Sequence, residues 1–242
     1  MSQIVTVLKE ADRSKNFPEI WRDWTEATAL ALENSTAPRD AVYEAREDRY
    51  KKIFDRYPKG ALNKFAAAYA ELVELFERRR FDDHLGPLYM EYVSKGEKGQ
   101  FFTPYSICLA MARTQIQPPT DTSRYIRILD CAAGSGATLI AALQVCFELG
   151  LPWQGRVEVY ADDLDWTCCH MAMMQLSTIG ARARIRQGDS LRDDFPEGRS
   201  ERCWVTPLGR LPLFGPSIGE GVEAPKPQPI ARPKAKGQLS FF

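Results

Sequence analysis

An α/β nucleotide-binding fold preceded by a helical region is predicted by three observations. The stretch Tyr125 to Thr138 passes from an aliphatic strand (Tyr125, Ile126, Ile128, Leu129) through a small-residue turn into the apolar helical run Leu139 to Leu149. Two further strand-like runs follow, at 156–161 and roughly 181–186, with a helical pattern between them. Ahead of all three, apolar residues recur at helical spacing through the first hundred or so positions.

Those N-terminal positions predict helices. Trp21, Trp24, Ala27 and Ala31 share one stripe, Tyr50, Ile53 and Phe54 another, and Phe65, Tyr69, Leu72, Leu75 and Phe76 a third, with Pro38, Pro58 and Gly60 between the runs. These aromatics read as helix-packing core. Lys51 with Lys52, and Arg78 to Arg80, read as solvated faces. Asp83 to Tyr92 is helix-like, and Thr103 followed by Pro104 predicts a capped helix over 105–113.

The chemistry concentrates in the turn after the first strand, D-C-A-A-G-S-G-A-T at 130–138. Gly134 and Gly136 allow backbone dihedrals closed to other residues, and the helix that follows turns free N–H groups toward a ligand. The turn lacks the third glycine of a dinucleotide fingerprint, and Asp130 at the strand end disfavours a pyrophosphate while suiting a ligand with a cationic amino group. A carboxylate at the end of the second strand, in D-D-L-D at 162–165, is placed to accept from both hydroxyls of a ribose. Asp165 predicts an N-cap for the helix 166–179, which Gly180 ends; its stripe of Met171, Met174, Leu176 and Ile179 reads as core.

Taken together, D-C-A-A-G-S-G-A-T-L, G-Q-F-F-T-P at 99–104, Y-A-D-D-L-D at 160–165 and G-D-S-L at 188–191 resemble, in the family order, the motifs of adenine-specific N6 DNA methyltransferases. The likeness is to the methylation subunits of type I restriction-modification systems in particular, and it covers roughly the central half of the chain. It implies a Rossmann-like AdoMet-dependent methyltransferase domain over 98–211, a helical region over 1–97, and S-adenosyl-L-methionine (AdoMet) as cofactor. Carried over by resemblance, Phe102 and Thr103 fold over the methionine end of AdoMet, and Asp130, Ala132, Gly134 and Gly136 form its loop. Asp163, with Asp162 as alternative, takes the ribose, and Asp189 accepts from the adenine amine. DNA is the implied substrate, with a specificity or restriction subunit as a possible partner, in a restriction-modification or plasmid/phage setting.

One family motif is altered. Methylation of an adenine amine needs a flipped base held by an Asn or Asp side chain and a proline carbonyl in an [NDS]-P-P-[YFW] turn. The corresponding stretch here is C-W-V-T-P-L-G at 203–209, with Thr206 and Pro207 as a degenerate candidate, Leu208 for the second proline and Gly209 for the stacking ring. No catalytic residue follows from this, and two readings stand: a DNA adenine methyltransferase, and a degenerate AdoMet-binding module that acts through DNA, a partner subunit or the sliding clamp.

Composition bounds the rest. With Lys+Arg 32 against Asp+Glu 32, no overall basic field marks a nucleic-acid binder, so DNA contacts must be local or borrowed. The six cysteines form no C-x-x-C pair, and Cys168, Cys169 and His170 are consecutive on one predicted helix, where they face different ways; they read as reduced packing residues, with no metal site. No run reaches the roughly 20 apolar residues of a membrane span, and the expected location is cytoplasmic. The stretch 212–242 is rich in Pro, Gly and Lys and predicts a disordered tail. Its end, Gln238, Leu239, Ser240, Phe241 and Phe242, resembles the Q-L-[SD]-L-F peptide that docks bacterial replication and repair proteins onto the sliding clamp, with Phe241 in place of leucine.

Overall fold

The computed structural model describes residues 2–94, 101–117, 125–193 and 199–211. Four helices come first: α1 (Gln3–Lys9), α2 (Phe17–Asn34), α3 (Ala41–Phe54) and α4 (Ala61–Arg78). A single turn, α5 (Gly86–Tyr89), runs into a π-helical turn over Met90–Ser94, and α6 (Tyr105–Gln115) leads to the sheet. The remainder reads β1 (Ile126–Asp130), α7 (Ala137–Glu148), α8 (Trp153–Arg156), β2 (Val157–Asp163), α9 (Trp166–Thr178), β3 (Arg182–Gln187), β4 (Cys203–Val205) and α10 (Pro207–Arg210).

Local sequence explains several helix starts. Asn16 and Asp40 accept hydrogen bonds from Glu19 N and Tyr43 N as N-caps of α2 and α3, and Asp165 does the same for α9 through Thr167 N at 2.7 Å. One expected cap differs: α6 begins at Tyr105 as expected, but Pro104 itself holds the N-cap position with no side-chain cap bond, and Thr103 is left exposed. Of the aromatic stripe on α2, Trp21 and Trp24 are fully buried while Ala31 faces solvent.

The sheet has the order β1-β2-β3-β4, with β1, β2 and β3 parallel and β4 antiparallel to β3. Register assigns its faces. Ile126 and Ile128 pair with Val157 and Val159, and Val159 and Ala161 with Ala183 and Ile185, so these residues share the face packed by α7 and α9. The opposite face carries Arg127, Leu129, Glu158, Tyr160 and Arg184. Here Glu158 accepts from Arg184 Nε at 3.1 Å and from the Tyr160 hydroxyl at 2.8 Å, with Arg127 at 3.9 Å, and Leu129 is 60% exposed. A charged cross-strand ladder thus occupies the face that a doubly wound fold covers with helices.

The N-terminal helices share one core with the sheet layer, because α2 lies along α9 and Trp24 Nε1 donates to Phe65 O at 3.1 Å within it. A buried ionic cluster fastens the far side. Glu33 on α2 accepts from Arg46 on α3 and from Arg210 on α10, and Arg46 also donates to Cys203 O at 2.6 Å and Ser200 O at 3.1 Å. Burial lowers the Arg46 pKa, opposed by the Glu33 carboxylate beside it. No helix among the described residues is long and apolar enough to cross a membrane.

Removing one member of a buried charge cluster strands the others. Glu33→Ala is expected to cost about 3–5 kcal/mol in urea unfolding, whereas Glu10→Ala, whose partner Lys64 is a surface residue, is expected to leave the midpoint nearly unchanged.

Candidate functional site

Three loops converge at the C-terminal ends of the parallel strands. The first leaves β1 at Asp130, whose carboxylate accepts from Ala132 N at 2.9 Å and from the Thr138 hydroxyl, closing the turn on itself. Gly134 and Gly136 both lie in the left-handed region, at φ 55° and 95°, and Gly136 is the N-cap of α7. The second loop is held against it: Asp163 accepts from Gly134 N and from Asp165 N, each at 2.8 Å, and Ala133 N donates to Asp162 O at 2.9 Å. The third joins through Gly188 N to Asp163 O at 3.0 Å and through the Ser190 hydroxyl to Cys131 O at 3.3 Å.

Asp163 sits in this junction with its pKa raised, chiefly by burial and against the pull of its two N–H donors. Those donors use two of about four lone-pair sites on the carboxylate, which leaves acceptor capacity for a ligand. Asp189 is more exposed; it accepts from Leu191 N at 2.9 Å and faces Arg192 at 3.5 Å.

Phe102 comes from a distant segment and lies over the glycine loop. Its ring stacks on Tyr89 at 5.5 Å and 11°, and a Cβ on Gly134 would meet Phe102 Cε1 at 3.3 Å. Phe101, Phe102, Thr103, Cys108, Ala132 and Gly134 are among the residues lining a cavity of about 70 Å³ there. That volume is far below the roughly 300 Å³ at which small-molecule pockets begin, so this cavity encloses no more than one end of a nucleoside-sized ligand. Burial pushes the Cys108 thiol up to about 11, which leaves it protonated and unfit as a nucleophile at neutral pH.

A buried polar network beneath the loop has little sequence signature. Asp83 accepts from Gly86 N at 2.9 Å, from Gln175 Nε2 at 2.8 Å and from the Ser135 hydroxyl at 2.7 Å. Gln175, fully buried on α9, also donates to Ser135 O at 2.8 Å and accepts from His84 N and Leu85 N at 2.8 and 3.2 Å. The spacing of Asp83 before Gly86-Pro87 could have flagged a cap, but nothing local marks Gln175 as its partner. Gly86 is required here, since a Cβ would fall 2.0 Å from Asp83 Oδ2.

The residues expected around a cofactor are therefore brought together in part. Phe102, Thr103, Ala132 and Gly134 line one cavity, Asp130 and Gly136 close its loop, Asp163 is bonded to it, and Asp189 follows beside Gly188. Thr206 and Pro207 are not there. The Thr206 hydroxyl is buried at the opposite end of the sheet, where it donates to Ala181 O at 2.7 Å, accepts from Ala183 N at 2.9 Å and caps α10 through Gly209 N. Because β4 runs antiparallel at the edge beyond β3, this turn emerges at the start of β3 and not beside the loop after β1. In this position Thr206 splices the sheet edge. Gln238, Leu239, Phe241 and Phe242 lie outside the described residues.

The N-6 DNA Methylase family model matches residues 83–205, just over half of the sequence, and the chain belongs to that family. Among curated proteins none matches it. Of solved structures, the methyltransferase subunit of a type I restriction-modification system from Streptococcus thermophilus is 23% identical, with TM-score 0.41 and coverage of 69% of this chain and 36% of that one. A putative class I S-adenosylmethionine-dependent methyltransferase from Listeria monocytogenes is 14% identical, with TM-score 0.42 and coverage of 80% of this chain and 55% of that one. The chain thus matches about a third of the first protein's length and about half of the second's.

Two substitutions separate the ends of the sheet. Asp83→Ala strands the Gln175 amide and the Ser135 hydroxyl and is expected to cost about 2–4 kcal/mol; Thr206→Val is expected to cost about 1–3 kcal/mol while leaving the loop intact. Thermal unfolding measures both, and hydrogen exchange of the amides over 131–136 should speed up only for Asp83→Ala.

Proposed function

We propose that this chain holds AdoMet at the glycine loop and serves methyl transfer to adenine N6 in DNA, in a restriction-modification or plasmid/phage setting. The observation that carries the reading is the junction of Gly134, Asp163 and Phe102, three separate motifs meeting at one loop. Its donor set fits the cofactor: free lone pairs on Asp163 for the ribose hydroxyls, the Asp130 charge for the ammonium group, and Asp189 for the adenine amine. Phe102 and Thr103 close over the methionine end, while Ala132, Gly134 and Gly136 let backbone approach closely. Leu164 and Leu191, 66% and 92% exposed beside these carboxylates, supply apolar sides for the adenine ring.

When bound, AdoMet supplies an electrophilic methyl group on its sulfonium. What the chain contributes is orientation and charge: a fixed loop, a carboxylate held by backbone donors, and an aromatic cover that excludes water. The helical region 1–97 and the region 98–211 act together in this reading, with DNA as substrate and a specificity or restriction subunit as partner.

A second reading is favoured by the position of Thr206 and Pro207. With that turn engaged at the other end of the sheet, the chain would bind AdoMet without transferring a methyl group by itself, acting through DNA or a partner.

Calorimetric titration with AdoMet is expected to show saturable binding that Asp163→Ala weakens at least ~10-fold, as for loss of a charge-assisted pair. The ribose-accepting form of Asp163 is the carboxylate, whose pKa burial raises, so binding weakens as the pH falls and the group takes up its proton. It should fail on acidification at a higher pH than an ordinary aspartate would dictate. Radiolabelled methyl transfer to unmethylated DNA then separates the readings: transfer by the chain alone supports the first, and AdoMet binding without transfer supports the second. An absence of AdoMet binding would overturn both.

A further inference from the structure

We infer that the cleft between α2, the end of α3 and the first turn of α9 binds one nucleotide unit of a nucleic-acid strand, its base against Trp166 and its single phosphodiester against Arg22. The cleft is about 600 Å³, within the range of small-molecule sites, and shares no lining residue with the cavity at Gly134. Trp166 follows Asp163 by only three positions, so cleft and glycine loop open near the same end of β2.

Charge bookkeeping narrows the ligand. Of the acidic residues lining the cleft, Asp23 is paired with Arg56 at 2.9 Å and accepts from the Tyr57 hydroxyl at 2.9 Å, Glu26 is paired with Arg49, and Glu19 with Lys15 at 2.7 Å. Arg22, exposed at the mouth, has no ion-pair partner among the described residues. One uncompensated positive charge matches the single negative charge of a phosphodiester better than the multiple charges of a di- or triphosphate.

Shape and polarity point the same way. Trp166 is 40% exposed and is braced from behind by Trp204, edge to face at 5.4 Å and 87°, which makes it a rigid stacking platform. His170 is braced by the same Trp204 ring at 5.3 Å and 89°. It lines the cleft, is only 4% exposed, and has no hydrogen-bond partner among the described residues. Burial pushes its pKa down to about 3, so at neutral pH the ring offers one donor and one acceptor, the pattern a base edge can meet. Thr167 adds a hydroxyl beside it. A purely structural histidine would not need to face an open, charged cleft.

The test titrates the full chain with the dinucleotide dTpdT, with thymidine and with inorganic phosphate, following tryptophan fluorescence and heat. The expected result is saturable binding of dTpdT about 10-fold tighter than thymidine, the share of one charge-assisted contact, and no measurable binding of phosphate. Arg22→Gln, at an exposed position that does not threaten the fold, should erase the preference for dTpdT over thymidine. Trp166→Leu should weaken both. Equal binding of dTpdT and thymidine, an unchanged preference in Arg22→Gln, or no binding of dTpdT would overturn the assignment. AdoMet titrated into the same samples reports on the glycine loop separately, so either reading can fail without the other.

Discussion

The site depends on one buried carboxylate. Asp83 sits below the glycine loop and gathers a backbone amide, a glutamine amide and a serine hydroxyl, so that three segments remote in sequence are fixed to one another. Such a network is stable only when every member is satisfied, and here each oxygen and each donor has a partner. Remove that anchor and the loop keeps its glycines but loses its position relative to α9 and to Phe102. The left-handed dihedrals at Gly134 and Gly136 make the turn possible; the network beneath makes it a fixed surface.

The frame around this anchor is built from two kinds of contact. One kind is apolar packing, as of α2 along α9 and of α6 along α7, and its logic is the ordinary one of helix stripes against a neighbouring layer. The ionic cluster of Glu33, Arg46 and Arg210 is different in kind, because it ties the N-terminal helices to β4 and α10 by groups that are costly to bury alone. It therefore also fixes the arrangement: a slipped β4 would take the Cys203 and Ser200 carbonyls away from Arg46 and leave it Glu33 alone.

Much of this was legible in the sequence where the signal is local. The strand, loop and helix at 126–148, the Asp165 cap and the buried stripe of α9 follow from period, small residues and capping chemistry, and all three stand in the fold. The meeting of Phe102 with Gly134 was reachable only through family resemblance, since no periodicity links positions so far apart. Two things were not legible. Gln175 looks like any polar residue on a helix until its partner Asp83 is placed beside it. The position of the turn at Thr206 was the other, because a short strand carries no mark of its direction; antiparallel pairing to β3 puts it at the far end of the sheet.

The Arg and Glu ladder across the sheet face opposite α7 and α9 has a consequence for assembly. Any second layer laid on Arg127, Glu158 and Arg184 would have to strip water from all of them at once, and only a surface bearing matched carboxylates and guanidiniums could recover that loss. Greasy helices of the usual kind would be rejected, and casual stacking of sheets between molecules is discouraged by the same hydrated charges.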